Sequence, residues 1–265
     1  MSSTPPLGAS DATRDHWFYA LSASAFLASV VATVRLCRSM SGGMDMPGGW
    51  TMSMAWMKMP GQSWSGASWM FAQMWFVMMV AMMTPSLVPM LTRYRQTLRR
   101  EADGAVSMAT LRAAIAYFAV WQAVGVMAYA LGVAFASFTM RSASLSRLVP
   151  ALTGVALILS GIVQLSHWKQ AKLEHCRDPI ACTEQHRAPS AGGWGHGLQL
   201  GACCGACCSG FMLALLVLGS MDLLVMTIVA LAITGERLLP KPAIAVRISG
   251  AAMLAIGTAA LVRLV

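Results

Sequence analysis

The sequence predicts an all-α protein, a polytopic transmembrane helix bundle of about seven spans, on three observations. Mean hydropathy is +0.62, with 57% hydrophobic and only 11% charged residues, a balance foreign to a water-solvated globule. Several uncharged runs reach roughly 18 residues or more, enough at about 1.5 Å per residue to cross about 30 Å of hydrocarbon. Lysine and arginine sit in the short segments between those runs, where they serve as topology signals. The net charge of +9 forms no basic stripe with interleaved aromatics, which argues against nucleic acid and leaves the lipid bilayer as the expected partner.

Taken in order, residues 1–16 form a polar segment without the basic n-region and short apolar core of a cleavable signal peptide. A first span occupies residues 17–38. Residues 39–68 form a Met/Gly/Trp-rich external loop, in which glycine and proline recur too often for a stable helix. The remainder, 69–265, forms a multi-span membrane domain with spans near 69–91, 113–138, 148–168, 196–218, 221–239 and 242–264. The sixth of the seven spans is short, and merging it with the seventh leaves six. Pro85 and Pro89 are expected to interrupt the second. With the N-terminus in the cytoplasm, 13 of the 19 lysines and arginines fall on inside segments and 6 on outside ones. The Met-rich loop then faces outward and the mouth of the fifth span faces the cytoplasm.

Methionine is concentrated locally: 14 of 22 lie between Met40 and Met90. Met44 and Met46 form one of several M-x-M pairs, and Met78, Met79, Met82 and Met83 belong to a stripe at helical spacing. Thioethers are soft, neutral ligands suited to Cu(I) or Ag(I) rather than Zn(II), Mg(II) or Ca(II). Adaptable apolar packing, with tryptophan anchors at the interface, is the competing account.

Four of the seven cysteines, Cys203, Cys204, Cys207 and Cys208, fall within six residues. On a helix Cys203 and Cys207 share a face, as do Cys204 and Cys208, so that sulfurs share one ligand. His167, His175, Cys176 and Cys182 precede them, with His186 and His196 between. An odd, clustered set fits metal binding better than paired disulfides. Thiolates in an apolar helix are costly unless a metal takes up the charge. Gly197, Gly201 and Gly205 form a small-residue ridge in the same run, so a helix-packing surface is the competing account. Glu236 is read as a partner for Arg237 or an interfacial acid. No nucleophile elbow, H-E-x-x-H, P-loop or dinucleotide fingerprint is present, so no catalytic residue is assigned.

The stretch Trp75 to Met90, the run from Lys169 through Cys176-Arg177-Asp178-Pro179, Cys204 with Cys207-Cys208 and Met212, Gly219-Ser220-Met221 and Glu236 to Pro240 together resemble a bacterial family of uncharacterised, predicted metal-binding integral membrane proteins. The resemblance covers about 69–264. It implies a multi-helix membrane fold in the inner membrane, with Met78, Met79, Met82, Met83, Cys176, Cys204, Cys207 and Cys208 as metal positions. Two departures stand out: Lys172 occupies a position where many relatives carry cysteine, and Gly205-Ala206 with an extra Cys203 replaces the family's C-x-G-C-C.

The leading expectation is a membrane protein that binds a soft metal, Cu(I) first and zinc as runner-up, for transport, chaperoning or cofactor insertion. A metallochaperone or a partner membrane subunit would be its protein partner. Two alternatives stay open: a structural or assembly subunit of a larger membrane complex, and a thiol oxidoreductase using Cys204 and Cys207.

Overall fold

In a low-dielectric surrounding every backbone N–H must bond within its own segment, and the apolar runs accordingly become helices. The computed structural model describes residues 9–39, 42–58, 61–101, 106–177, 193–219, 221–240 and 242–264. In chain order these form α1 (Ala9–Ser39), β1 (Gly43–Met46), β2 (Trp50–Ser53), α2 (Trp64–Glu101), α3 (Val106–Arg141), α4 (Ala143–Leu165), α5 (His167–Arg177), α6 (Trp194–Leu218), α7 (Leu223–Leu238) and α8 (Pro242–Val262). The fold is an all-α bundle. Six helices, α1, α2, α3, α4, α6 and α8, are long and apolar enough to cross a membrane. The expected sixth span is α7, which has 16 residues and rises only about 24 Å.

Three expectations change. Pro85 and Pro89 lie inside α2, which continues unbroken to Glu101. Hydroxyls in that stretch bond helix carbonyls, Thr84 Oγ1 to Val80 O at 2.6 Å and Ser86 Oγ to Met83 O at 3.0 Å. The stretch after α4, read from its polar sequence as a loop between the fourth and fifth spans, is helical over His167–Arg177. Ser166 leaves helical geometry (φ −70°, ψ 152°), and its Oγ accepts from the Lys169 N–H at 3.3 Å, an N-cap that starts α5. Lys169, Leu173 and Cys176 form its buried face, at the four- and three-residue spacing of one helix side. The Met-rich loop contains an antiparallel hairpin pairing Met44 with Met52 and Met46 with Trp50, followed by a 3-10 turn at Met54–Trp56.

The hairpin is fastened to the start of α4, where Ser146 Oγ donates to Pro47 O at 2.7 Å and Trp50 Nε1 donates to Ser146 O at 2.9 Å. At the opposite end of the bundle, Tyr19 and Thr92 hydroxyls lie 3.3 Å apart, the Arg95 guanidinium lies 4.8 Å above the Phe18 ring, and His196 stacks on Tyr94. Between the ends runs one apolar core that contains Met74, Met78, Met79, Met82, Met83 and Met90 together with Cys176, Cys204, Cys207 and Cys208.

Close approach of α4 and α8 depends on glycines facing each other. A Cβ on Gly257 would lie 2.8 Å from Gly154 O, and one on Gly161 would lie 3.0 Å from Gly250 O. Of the ridge expected on α6, Gly197 and Gly201 abut α3, whereas a Cβ on Gly205 would meet nothing within 4 Å. Gly257→Leu is therefore expected to destabilise the bundle by about 1–3 kcal/mol through forced separation, while Gly205→Ala is expected to be tolerated. Thermal unfolding in detergent measures both, and equal midpoints for the two variants would contradict the packing described.

Candidate metal centre

Helix α6 places its four cysteines on a turn and a half facing the core. Cys204, Cys207 and Cys208 are buried and Cys203 is partly so. Helix α5 adds a fifth thiol, because its inward face ends on Cys176. All the described cysteines are free thiols. Cys203 and Cys176 sulfurs are 3.1 Å apart. Cys176 is hydrogen-bonded to Cys207, Cys207 to Cys208, and Cys208 to Cys204. Five thiols thus form one continuous chain of contacts. The expectation that Cys204 and Cys208 meet holds, while Cys203 turns to Cys176. The hydrogen bonds to Cys203 and Cys207, and then burial, push the Cys176 thiol well above its ordinary range.

At the far end of that chain Cys204 Sγ lies 3.0 Å from Tyr117 Oη and accepts from Arg237 Nη2 at 2.9 Å. The same nitrogen lies 3.5 Å from Cys208 Sγ. Nη1 lies 3.4 Å from Ser86 Oγ and 4.0 Å from Met90 Sδ. Arg237 is 6% exposed, and among the described residues no carboxylate pairs with it. Glu236, read from the sequence as a partner for Arg237 or an interfacial acid, pairs with Lys169: Oε2 lies 2.9 Å from Nζ, with both side chains 2% exposed. Its other oxygen accepts from Gln164 Nε2 and, at 2.9 Å, from Ser249 Oγ. Adjacent residues on a helix point about 100° apart, so each takes a different neighbour.

Lys169 Nζ also donates to Cys207 O at 2.5 Å, tying α5 to the cysteine turn. Burial pulls the Lys169 ammonium down, but the neighbouring Cys207 and Glu236 push it up by more, so its ordinary value is exceeded. Beside the cysteine cluster, the buried charges among the described residues are then two cations, Lys169 and Arg237, and one carboxylate, Glu236. A guanidinium does not give up its proton, and an unpaired buried charge costs several kcal/mol. Among the described residues the pocket around Arg237 is short of one negative charge, and the Cys204 and Cys208 thiols that touch it can supply one.

Among the described residues no three His, Cys, Asp or Glu side chains converge as a preformed metal cage. What the donors offer is a chain of sulfur pairs, and a pair of sulfurs suits a soft monovalent ion that accepts low coordination numbers better than a hard or strictly tetrahedral one. Met78, Met79, Met82 and Met83 are all buried in the same core as the thiols. Met44 and Met46 are not: they lie on the hairpin, Met44 exposed and Met46 packed with Met52 in a separate small cluster. From Ser146, where the hairpin docks, to Gln164, which touches Glu236, α4 rises about 27 Å.

His167 is exposed at the first residue of α5, and His196 stacks on Tyr94 with ring centroids 4.0 Å apart. Zinc is the runner-up ion because histidines flank the cluster, yet the neighbours described around Cys204 and Cys208 are a phenol, a guanidinium and sulfur. The side chain of His175, and all of Cys182 and His186, lie outside the described residues. Sequence reasoning missed Tyr117, Gln164 and Lys169 as neighbours of the cluster; the signal was polar groups within or beside apolar spans, which lipid-facing positions do not tolerate.

A family model described as PpoB2, copper chaperone, matches residues 72–260. No curated protein and no solved structure matches the chain.

Proposed function

Because the chain belongs to the PpoB2 copper chaperone family, matched over 72–260, we propose that it is an integral membrane protein that takes Cu(I) as cargo on Cys204 and Cys208. In this reading it passes the ion along the thiol chain through Cys207 and Cys176 to Cys203. The observation that carries it is the buried Arg237 guanidinium, 2.9 Å and 3.5 Å from two thiols and, among the described residues, without a carboxylate. Two thiolates and one monovalent ion carry a net charge of −1, which the guanidinium balances. A divalent ion on the same pair leaves the guanidinium uncompensated.

Methionines of α2 supply the remaining length of the route. Met74, Met78 and Met82 repeat at one-turn spacing, and Met74 to Met90 rises about 24 Å, ending 4.0 Å from Arg237. Neutral thioethers hold a soft ion without charge cost at membrane depth. The proposed placement is a bacterial inner membrane, with the N-terminus and α5 cytoplasmic and the hairpin outside, on the lysine and arginine distribution. A metallochaperone or partner membrane subunit would receive the ion at Cys203, the partly exposed end of the chain.

Elemental analysis of protein purified from copper-supplemented cells tests the reading. At least one equivalent of copper is expected in the wild type, and one equivalent fewer once Cys203, Cys204, Cys207 and Cys208 are serine. Metal-free protein from both would leave an assembly subunit as the better account. A reversible intramolecular disulfide without bound metal would point to a thiol oxidoreductase.

A further inference from the structure

Where the hairpin segment meets α2 there is a cavity of about 30 Å³, room for a single water-sized sphere. Four methionines from separate stretches line it: Met54 of the 3-10 turn, Met57 just after it, and Met70 and Met74 one turn apart on α2. The rest of the wall is two alanines, Phe71 and Gln62. A water there would find at most one polar side chain, and buried waters ordinarily need two to four partners. Among the described residues no carboxylate or imidazole lines the cavity, so a hard or borderline divalent ion would find only the Gln62 amide there. Met74 is 5% exposed and Met70 51%, so the site has an inner wall within the core and a rim open to the surroundings.

We propose that this cavity is a second metal site, an all-thioether entry site for Cu(I) or Ag(I), from which the ion moves along α2. The inference rests on the reading of copper as cargo. Met74 belongs both to this cavity and to the core that holds Met78, Met82 and the thiols, so the site opens directly onto the ladder. The 3-10 turn that contributes Met54 is built locally: Ser53 Oγ accepts from Ala55 N–H at 3.3 Å, and Met57 N–H donates to Met54 O at 3.2 Å. Trp56 and Phe71, with ring centroids 5.3 Å apart, hold the turn against α2. Met54, Met57 and Met70 lie outside residues 72–260, the stretch matched by the family.

Thioethers have no proton to lose, which separates this site from the thiols experimentally. The test is titration of Ag(I) into the full-length protein in detergent, at pH 5 and pH 7, in a variant with Cys203, Cys204, Cys207 and Cys208 changed to serine. One equivalent that binds with the same affinity at both pH values is expected. It should be lost when Met54, Met57, Met70 and Met74 are also changed to leucine. Met70→Leu alone, at the half-exposed rim where folding is not at stake, is expected to weaken binding by roughly tenfold. Absence of the pH-independent equivalent, or its persistence in the leucine variant, overturns the site. Failure of the copper reading looks different: the wild type would then show no additional equivalent that weakens at pH 5, whatever the methionines do.

Discussion

Arg237→Gln is expected to weaken Cu(I) binding by roughly 100- to 5,000-fold, the equivalent of about 3–5 kcal/mol, which is what breaking a buried charge pair costs. In the wild type the guanidinium lies 2.9 Å from Cys204 Sγ and 3.5 Å from Cys208 Sγ, and in the proposed reading a cuprous bis-thiolate would neutralise it. Without the cation, the same bis-thiolate is a lone negative charge in the core. Zn(II) on two thiolates is neutral by itself, so the substitution is expected to spare zinc or favour it. Arg237→Lys keeps the charge but loses the planar fork that reaches both sulfurs and Ser86, and an intermediate affinity is expected. Competition against a chromophoric Cu(I) chelator measures the series. Equal affinities for wild type and Arg237→Gln would remove the guanidinium from the account of selectivity.

The second large effect concerns stability. Lys169→Met is expected to destabilise the protein by about 3–5 kcal/mol, because Glu236 loses its cation while staying buried. Gln164 and Ser249 still bond that carboxylate but do not neutralise it. The double variant Lys169→Met with Glu236→Gln removes both charges and is expected to recover most of the loss. A double-mutant cycle on thermal unfolding in detergent reads the coupling directly. Additive effects of the two substitutions would contradict the 2.9 Å pair.

The long helices were legible because their signal is summed over 20 or so residues of uncharged sequence, and so was the crowding of Cys204, Cys207 and Cys208. Helix α5 was not legible. Its inward positions are Lys169, Leu173 and Cys176, and periodicity counts a lysine as solvent-facing until a buried carboxylate is known to await it. Pro85 and Pro89 misled in the opposite direction, since a helix packed in a bundle tolerates proline where neighbouring groups and local adjustment re-satisfy the backbone that it frees. Glu236 and Arg237 are neighbours in sequence, which suggests a pair; helical geometry turns them to different partners. The hairpin escaped notice because Met44 with Met46, two apart, reads as a ligand spacing and as strand alternation equally well.

Helix α7 has a mechanical implication for its surroundings. It carries Arg237 on its inner side, and Leu224, Ile228, Leu231 and Leu238 form an outward apolar face. In the proposed membrane, a helix of about 24 Å stands in a hydrocarbon layer of about 30 Å. The layer is drawn thinner along that flank, and headgroups and water come nearer to the guanidinium than at any full-length helix. Such a dimple shortens the dielectric barrier at the point where the thiols take charge of their ion. In the proposed reading it would also make metal occupancy sensitive to acyl-chain length, because the mismatch with a thick bilayer is greatest where the helix is shortest.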